Sequence, residues 1–183
     1  MKIFKNLKNN KGFTIVETLV AVAILMIAIT GPLTIAQKSL VAAIYAKDQV
    51  VASFLAQDAM EYLKNTRDTA KLSAGSSFAD WLGVYDDCTP LAKCKIDTIS
   101  GVKDLCSYSS NTCKLYKSAS SYTTTSGGGS EETIYSRSFY LDSSNISDEN
   151  DSDEVKVVVE VIWKNGVNSN KFTIENQFFN IIR

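Results

Sequence analysis

An uncharged stretch near the N-terminus constrains this chain more than any other feature of its sequence. It runs from Thr18 to Ala36, and as a helix it is long enough to cross a hydrocarbon core about 30 Å thick. Glu17 stands directly before it, at a depth where a carboxylate costs roughly 2.5–3.5 kcal/mol on insertion scales. We therefore expect this acid to have a partner and a function.

The residues before the stretch are basic and end in a glycine–phenylalanine junction. Residues 1–12 contain four lysines and no acid, and the junction lies between Gly12 and Phe13. An ordinary secretory signal has a shorter apolar stretch, and its cleavage site follows that stretch instead of preceding it. A plain single-span anchor would account for the lysines but gives no reason for Glu17. Leader charge, junction, acid spacing and apolar length thus coincide in one specific pattern.

This pattern resembles the signal of prepilins and pseudopilins, the subunits of type IV pili, type II secretion pseudopili and competence pili. The residues that carry the resemblance are Lys11, Gly12, Phe13, Thr14, Glu17, Leu19, Val20, Ala21 and Ile24. The resemblance implies that a prepilin peptidase cuts between Gly12 and Phe13 and methylates the new amine of Phe13. Glu17 would act in assembly, facing the Phe13 amine of the preceding subunit. The close resemblance is confined to this N-terminal segment.

The charge distribution predicts the membrane topology, and the composition limits the catalytic and metal-binding sites that the chain can form. The leader lysines are expected to stay in the cytoplasm, so that everything after Ala36 is exported and the chain spans the membrane once. The assembled protein would then lie in the periplasm or at the cell surface. The sequence has no histidine, which excludes Ser-His and Cys-His catalysis and His-ligated zinc. We expect no enzymatic activity and no cofactor.

The chain divides into five predicted segments, and together they give an α+β, pilin-like fold. They are a cleaved leader (1–12), a transmembrane and filament-core helix (13–36), an amphipathic helix (37–71), an irregular region with the cysteines (72–130) and an antiparallel sheet (131–183). The two helical segments form one long helix, which Gly31-Pro32 should weaken or kink. The apolar stripe predicted to pack under the sheet consists of Leu40, Ile44, Val51, Leu55 and Tyr62, with Lys47 and Asp58 at its edges.

Strand signals occur late in the sequence. Apolar and polar residues alternate over residues 134–141 and 155–164, Asn165-Gly166 is a strong hairpin signal, and residues 172–182 supply a return strand. This predicts three strands, or four. The valine-rich strand, Trp163, the turn and the final apolar strand, together with residues 55–61 of the helix, resemble minor pilins and minor pseudopilins.

Four cysteines lie between the helix and the sheet, at Cys88, Cys94, Cys106 and Cys113. In an exported region they predict two disulfides, for which three connectivities are possible. Local pairs, Cys88 with Cys94 and Cys106 with Cys113, need the least chain closure. A four-cysteine zinc site is the alternative, but no C-x-x-C spacing is present. We expect no metal here.

Two charged segments carry further binding hypotheses. Residues 93–117 hold five lysines and two aspartates, with Tyr108 and Tyr116 among them. Such a segment can contact DNA phosphates and stack on bases, although a solvated loop face is favoured. An acidic segment offers a weak calcium candidate at Asp148, Asn150, Asp151, Asp153 and Glu154. Its spacing does not fit the EF-hand pattern, so a solvated loop is favoured there too.

The sequence therefore predicts a structural, minor subunit of a type IV pilus or a type II secretion-like pseudopilus. Its partners would be other pilins or pseudopilins, the prepilin peptidase, the inner-membrane assembly platform and, before assembly, the lipid bilayer. One alternative is a monomeric, membrane-tethered adhesin or ligand-binding ectodomain that never polymerises. Another is a competence pilus subunit that contacts DNA. Glu17 separates the filament subunit from the simple anchor, because an anchor needs no acid there.

Overall fold

The computed structural model describes residues 12–73, 75–119, 121–142, 154–166 and 168–180. In chain order, the elements are α1 (Ile15–Leu72), α2 (Phe78–Val84), β1 (Cys94–Ile96), β2 (Lys103–Leu105), β3 (Lys114–Ser118), β4 (Ser121–Thr123), β5 (Glu131–Asp142), β6 (Glu154–Asn165) and β7 (Asn168–Phe179). The chain divides into two units, Met1–Ala46 and Lys47–Arg183, and α1 contributes to both. We call the second unit the head.

In the first unit α1 begins at Ile15 and continues through Pro32 without interruption. All the side chains that the structure describes in this unit are exposed. The expected weakening at Gly31-Pro32 therefore does not break the helix, although proline removes one backbone donor there.

The head consists of an antiparallel sheet with the residues of α1 from Lys47 onward packed on one face. Strands β5, β6 and β7 form its main part, and β6 pairs with β7 over its whole length, from Glu154↔Phe179 to Asn165↔Asn168. The α+β architecture predicted from the sequence, a long N-terminal helix on a C-terminal antiparallel sheet, is thus confirmed.

The sheet has seven strands, so the predicted count of three or four is wrong. The additional strands form two pairs, β1 with β2 and β3 with β4, and both pairs adjoin β5 along the edge opposite β6. They are only three to five residues long, too short for an alternating pattern to stand out in the sequence. These segments have a weak strand propensity of their own, and they adopt strand conformation because they pair with the long edge of β5.

The core of the head lies between α1 and the inner row of β6. That row consists of Val155, Val157, Val159, Val161 and Trp163, all buried. The buried face of α1 includes Ala52, Ala56 and Ala59, which have no exposed surface. Because these side chains are small, the helix backbone can lie close to the sheet. The valines of β6 fill the space between the helix and the sheet.

This buried face differs from the predicted stripe in part. Leu55 is buried, and Val51 and Tyr62 pack against the core as partly buried residues. Leu40 and Ile44, however, are 64% and 48% exposed. The stripe was predicted from large apolar residues, whereas the buried face of α1 relies on alanines, which contribute little to a hydrophobic pattern.

Helix α2 was not predicted, although its start carries a recognisable signal. Ser77 is its N-cap, and the Ser77 and Asp80 side chains exchange hydrogen bonds with each other's backbone N–H groups in a capping box. The hydrogen bonds from Ser77 hold the pKa of Asp80 below its usual value. Trp81 of this helix is buried and donates its indole N–H to Thr66 of α1 at 3.0 Å.

Candidate functional site

The N-terminal segment places the predicted processing residues just before α1. Gly12, Phe13 and Thr14 precede the helix, and Phe13 is 71% exposed. The peptide bond between Gly12 and Phe13 therefore lies in exposed, non-helical chain. This is the geometry that a peptidase acting at this junction needs, because a bond inside a helix would have to unwind first.

Thr14 caps the helix, and Glu17 lies in its first turn. The Thr14 Oγ1 atom accepts a hydrogen bond from the Glu17 backbone N–H at 3.3 Å, and the Thr18 N–H donates to the Thr14 carbonyl at 3.2 Å. The spacing Thr-x-x-Glu is that of a capping box, and a negative charge in the first turn is favoured by the helix dipole. Only the backbone N–H of Glu17 takes part in this cap. The Glu17 carboxylate can stabilise the helix start through its charge, a local role that the sequence analysis did not consider. An unassembled anchor would also benefit from this acid.

Beyond Glu17 the helix is apolar on every side. The large apolar side chains of α1 that are exposed before and after Glu17, up to residue 35, are Ile15, Val16, Leu19, Val20, Val22, Ile24, Leu25, Met26, Ile27, Ile29, Leu33 and Ile35. By length and composition, α1 is the one candidate membrane span in the part of the chain that the structure describes. The hydroxyls of Thr18, Thr30 and Thr34 donate to carbonyls of the preceding turn, so they carry no unmet donor into lipid.

The four cysteines form two local disulfides, Cys88–Cys94 and Cys106–Cys113, with Cα–Cα distances of 5.3 and 5.0 Å. The first joins the chain after α2 to β1, and the Leu141 N–H of β5 donates to the Cys88 carbonyl at 2.8 Å. The second closes the loop that carries Tyr108. Asp87 lies with Cys88 and Cys94 in a group of potential metal ligands, but both sulfurs are in a disulfide and offer no thiolate.

We expect the exported protein to contain no free thiol. Because both bridges close loops with little core of their own, replacing Cys106 and Cys113 together by serine should lower the free energy of unfolding by about 2–4 kcal/mol. Alkylation of the non-reduced protein followed by peptide mapping tests the oxidation state, and thermal unfolding tests the stability. Two or more alkylated cysteines, or bound zinc in equal amount to the protein, would contradict this prediction.

The lysine-rich segment is largely neutralised by acids of the same head. Four of its five lysines form ion pairs, Lys93 with Glu160, Lys95 with Asp104, Lys103 with Asp87 and Lys114 with Glu132. Burial raises the pKa of Glu160, but hydrogen bonds from Lys93 and Lys171 outweigh it and hold this pKa below its usual range. Phosphate groups would have to compete with these carboxylates for the lysines.

Tyr108 is engaged as well, which further disfavours base stacking by this segment. Its hydroxyl lies 2.6 Å from the Ser138 hydroxyl and donates to the Glu160 carbonyl oxygen at 3.2 Å. The Lys93 ammonium lies 5.6 Å from the centre of the Tyr108 ring. Burial raises the pKa of Tyr108. The ring is therefore a structural support for the loop closed by Cys106–Cys113.

Most of the calcium candidate lies outside the described residues. Asp148, Asn150, Asp151 and Asp153 belong to that part of the chain, while Glu154 is the first residue of β6 and pairs with Phe179. The calcium hypothesis stays a prediction with no geometry to support it.

Two charged clusters that the sequence interpretation missed fix α1 to the sheet. Arg137 of β5 is 1% exposed and donates to Asp58 Oδ2 at 2.7 Å, to the Leu55 carbonyl at 2.9 Å and to the Ile96 carbonyl at 3.0 Å. Thr98 also donates to Asp58, at 2.8 Å.

The second cluster surrounds Asp48 at the start of the head. Asp48 is 7% exposed and accepts a hydrogen bond from Asn165 Nδ2 at 2.8 Å and from the Tyr135 hydroxyl at 3.4 Å. It joins the beginning of the packed part of α1 to the turn between β6 and β7.

Comparison with known proteins agrees with the N-terminal geometry. Residues 7–31 match the family model of the prokaryotic N-terminal methylation motif, which is the signal of type IV pilins and pseudopilins. The match includes the Gly12–Phe13 junction, Glu17 and most of the apolar stretch. No curated protein and no solved structure matches the chain.

The signal predicted from the sequence is thereby confirmed. The motif, the apolar helix and the helix-on-sheet layout support a type IV pilin-like or pseudopilin subunit that is anchored in the membrane by one helix. Other pilins and a prepilin peptidase are the partners that this motif implies.

Proposed function

We propose that the protein is a minor, non-enzymatic structural subunit of a type IV pilus or a type II secretion-like pseudopilus. A prepilin peptidase cuts it after Gly12 and methylates Phe13. The lipid bilayer holds the apolar part of α1 until an inner-membrane assembly platform transfers the subunit to the filament. The head is then extracytoplasmic, in the periplasm or at the cell surface.

One observation carries this proposal: the methylation motif opens a helix whose side chains are exposed on every side up to Ala46. Such a helix is not stable in water alone and needs either lipid or other apolar helices around it. A filament core supplies those helices. The absence of histidine from the sequence supports the non-enzymatic role.

The mature chain is expected to begin at N-methylated Phe13. Intact-mass spectrometry of purified filaments should show the loss of residues 1–12 and the gain of one methyl group. Gly12→Leu should abolish the cut, because a large side chain replaces the small one next to the scissile bond, while Leu7→Ala, which leaves the junction intact, should be processed normally. A mature form that still carries Lys11, or one that is cut beyond Ala36, would contradict the assignment.

The monomeric adhesin and the DNA-binding competence subunit remain the alternatives. The position of Glu17 in the first turn of α1 weakens one argument against the monomeric anchor, since the helix dipole favours a negative charge there without any assembly. The ion pairs of Lys93, Lys95, Lys103 and Lys114 count against DNA binding. Shearing of intact cells separates filament from membrane protein and so distinguishes the first alternative from our proposal.

A further inference from the structure

Strand β7 forms the long edge of the sheet. It has twelve residues, and among the strands that the structure describes it pairs only with β6. In an antiparallel ladder alternate residues turn their N–H and C=O groups away from the neighbour, so this edge presents a row of backbone donors and acceptors. The other edge strands, β2 and β4, have three residues each.

The charged side chains that often protect such an edge are drawn back over the sheet. Lys171 Nζ lies 3.1 Å from Glu160 of β6, and Glu175 lies 3.6 Å from Lys156 of β6. Both side chains are still more than half exposed, at 56% and 55%. The edge is therefore regular and accessible, which are the properties of a strand that adds a further strand from a partner.

The sequence of β7 is complementary to itself. In an antiparallel pair of β7 strands centred on Thr173, Lys171 of each copy stands opposite Glu175 of the other. Phe172 likewise stands opposite Ile174. The register with β6 puts Phe172 and Ile174 in the row of Val161 and Val159, and puts Lys171 and Glu175 in the other row. Each face thus receives matching pairs, charged on one side and apolar on the other.

We propose that β7 binds β7 of a second copy of this chain in an antiparallel, two-fold symmetric pair centred on Thr173. Three features favour a second copy as the partner. The two-fold pair contains the Lys171–Glu175 contact twice and the Phe172–Ile174 contact twice, once on each side of the axis. Among the described edge strands, only another β7 offers a strand of equal length. Self-complementarity of one patch is what a two-fold interface requires.

The two-fold axis determines which copies can meet. The axis is perpendicular to the sheet and passes midway between the two Thr173 residues. A rotation about it reverses every direction in the plane of the sheet. The Lys47–Leu72 segments of the two copies then lie on the same face of the joined sheet and run in opposite directions. Neighbours in one filament share one direction. If the proposed function holds, the pairing therefore joins copies from two filaments of opposite orientation.

Cysteine cross-linking of the full chain in detergent tests the pairing and its register without requiring a filament. The described cysteines are all in disulfides, so a single introduced cysteine at exposed Thr173, Ser169 or Gln177 supplies the reactive thiol. Thr173→Cys places two thiols at the axis, within the range of about 4.4–6.8 Å between Cα atoms that a disulfide needs. The two Ser169 residues would be eight strand positions apart, about 27 Å.

We expect Thr173→Cys to form at least about tenfold more reducible dimer than Ser169→Cys or Gln177→Cys alone, since a residue stands opposite its own copy only at the axis. A mixture of Ser169→Cys and Gln177→Cys should form the mixed dimer, because residues 169 and 177 are opposite in this register. Equal cross-linking of all three single variants, or none in Thr173→Cys and in the mixture, would overturn the proposal. Either result leaves the filament function untouched, because processing and incorporation are measured separately.

Discussion

Replacing Asp58 by alanine is expected to lower the free energy of unfolding of the head by about 3–5 kcal/mol, because it removes the carboxylate that pairs with the buried guanidinium of Arg137. Burial lowers the pKa of Arg137, and the hydrogen bond and charge of Asp58 oppose that effect. Tryptophan fluorescence is a suitable measurement, since both tryptophans, Trp81 and Trp163, are buried in the head. Their unfolding transition reports on the head alone.

Two controls give this prediction its specificity. Asp104→Ala removes an exposed carboxylate 4.0 Å from Lys95 and should cost less than about 1 kcal/mol. The double variant Asp58→Leu, Arg137→Met removes both charges and should be more stable than Asp58→Ala, because it does not leave the buried guanidinium of Arg137 without Asp58. A loss for Asp58→Ala no larger than that for Asp104→Ala would show that the Asp58–Arg137 pair does not hold α1 on the sheet.

Replacing Glu17 by glutamine is expected to reduce incorporation into filaments at least about tenfold, which corresponds to a loss of only about 1.4 kcal/mol per addition. In a filament the carboxylate would pair with the Phe13 amine of the preceding subunit, and glutamine leaves that amine unpaired in an apolar surrounding. Membrane insertion and cleavage should stay normal. Immunoblots of membrane and sheared-filament fractions give both quantities.

The capping geometry calls for a second variant in this experiment. Thr14→Val removes the Oγ1 acceptor of the Glu17 N–H and should weaken the helix start by about 1 kcal/mol while it keeps the Glu17 charge. If the charge orders assembly, Thr14→Val filaments form at near-normal levels and Glu17→Gln filaments do not. Equal defects in both variants would assign the effect to the helix start, and normal incorporation of Glu17→Gln would refute a role of the carboxylate in assembly.

The sequence predicted those parts of the molecule that repeat a regular pattern. The apolar span, the alternating residues of β5 and β6, and the hairpin at Asn165-Gly166 each follow one period or one turn rule. The strands β1 to β4 did not emerge, because their conformation depends on pairing with β5. The buried alanines of α1 were not predicted either. They stabilise the packing because their small size lets the helix approach the sheet, and this effect does not appear in a hydrophobic pattern.

The pair Asp58–Arg137 was visible in part. Asp58 interrupts the apolar stripe of the helix, and Arg137 interrupts the inward row of β5. Two opposite charges on faces that pack together indicate an ion pair between them, and in the structure Arg137 is buried while Asp58 is half exposed. The Asp48 cluster offered no comparable signal: its partners are neutral, and Asn165 was explained by the turn. At the N-terminus, Thr14 stands directly before the apolar run, where it already indicated an N-cap.

The position of the Asp48 cluster has a mechanical consequence. Asp48 and Asn165 are 117 positions apart in the chain, yet their hydrogen bond lies one residue beyond the point where α1 enters the head. Tension applied along α1 therefore reaches the β6–β7 hairpin through Asp48 before it reaches the short strands and disulfide loops that follow α1 in sequence. The twelve-residue ladder between β6 and β7 would therefore take up the first strain if the protein is pulled as a subunit of the filament that we propose.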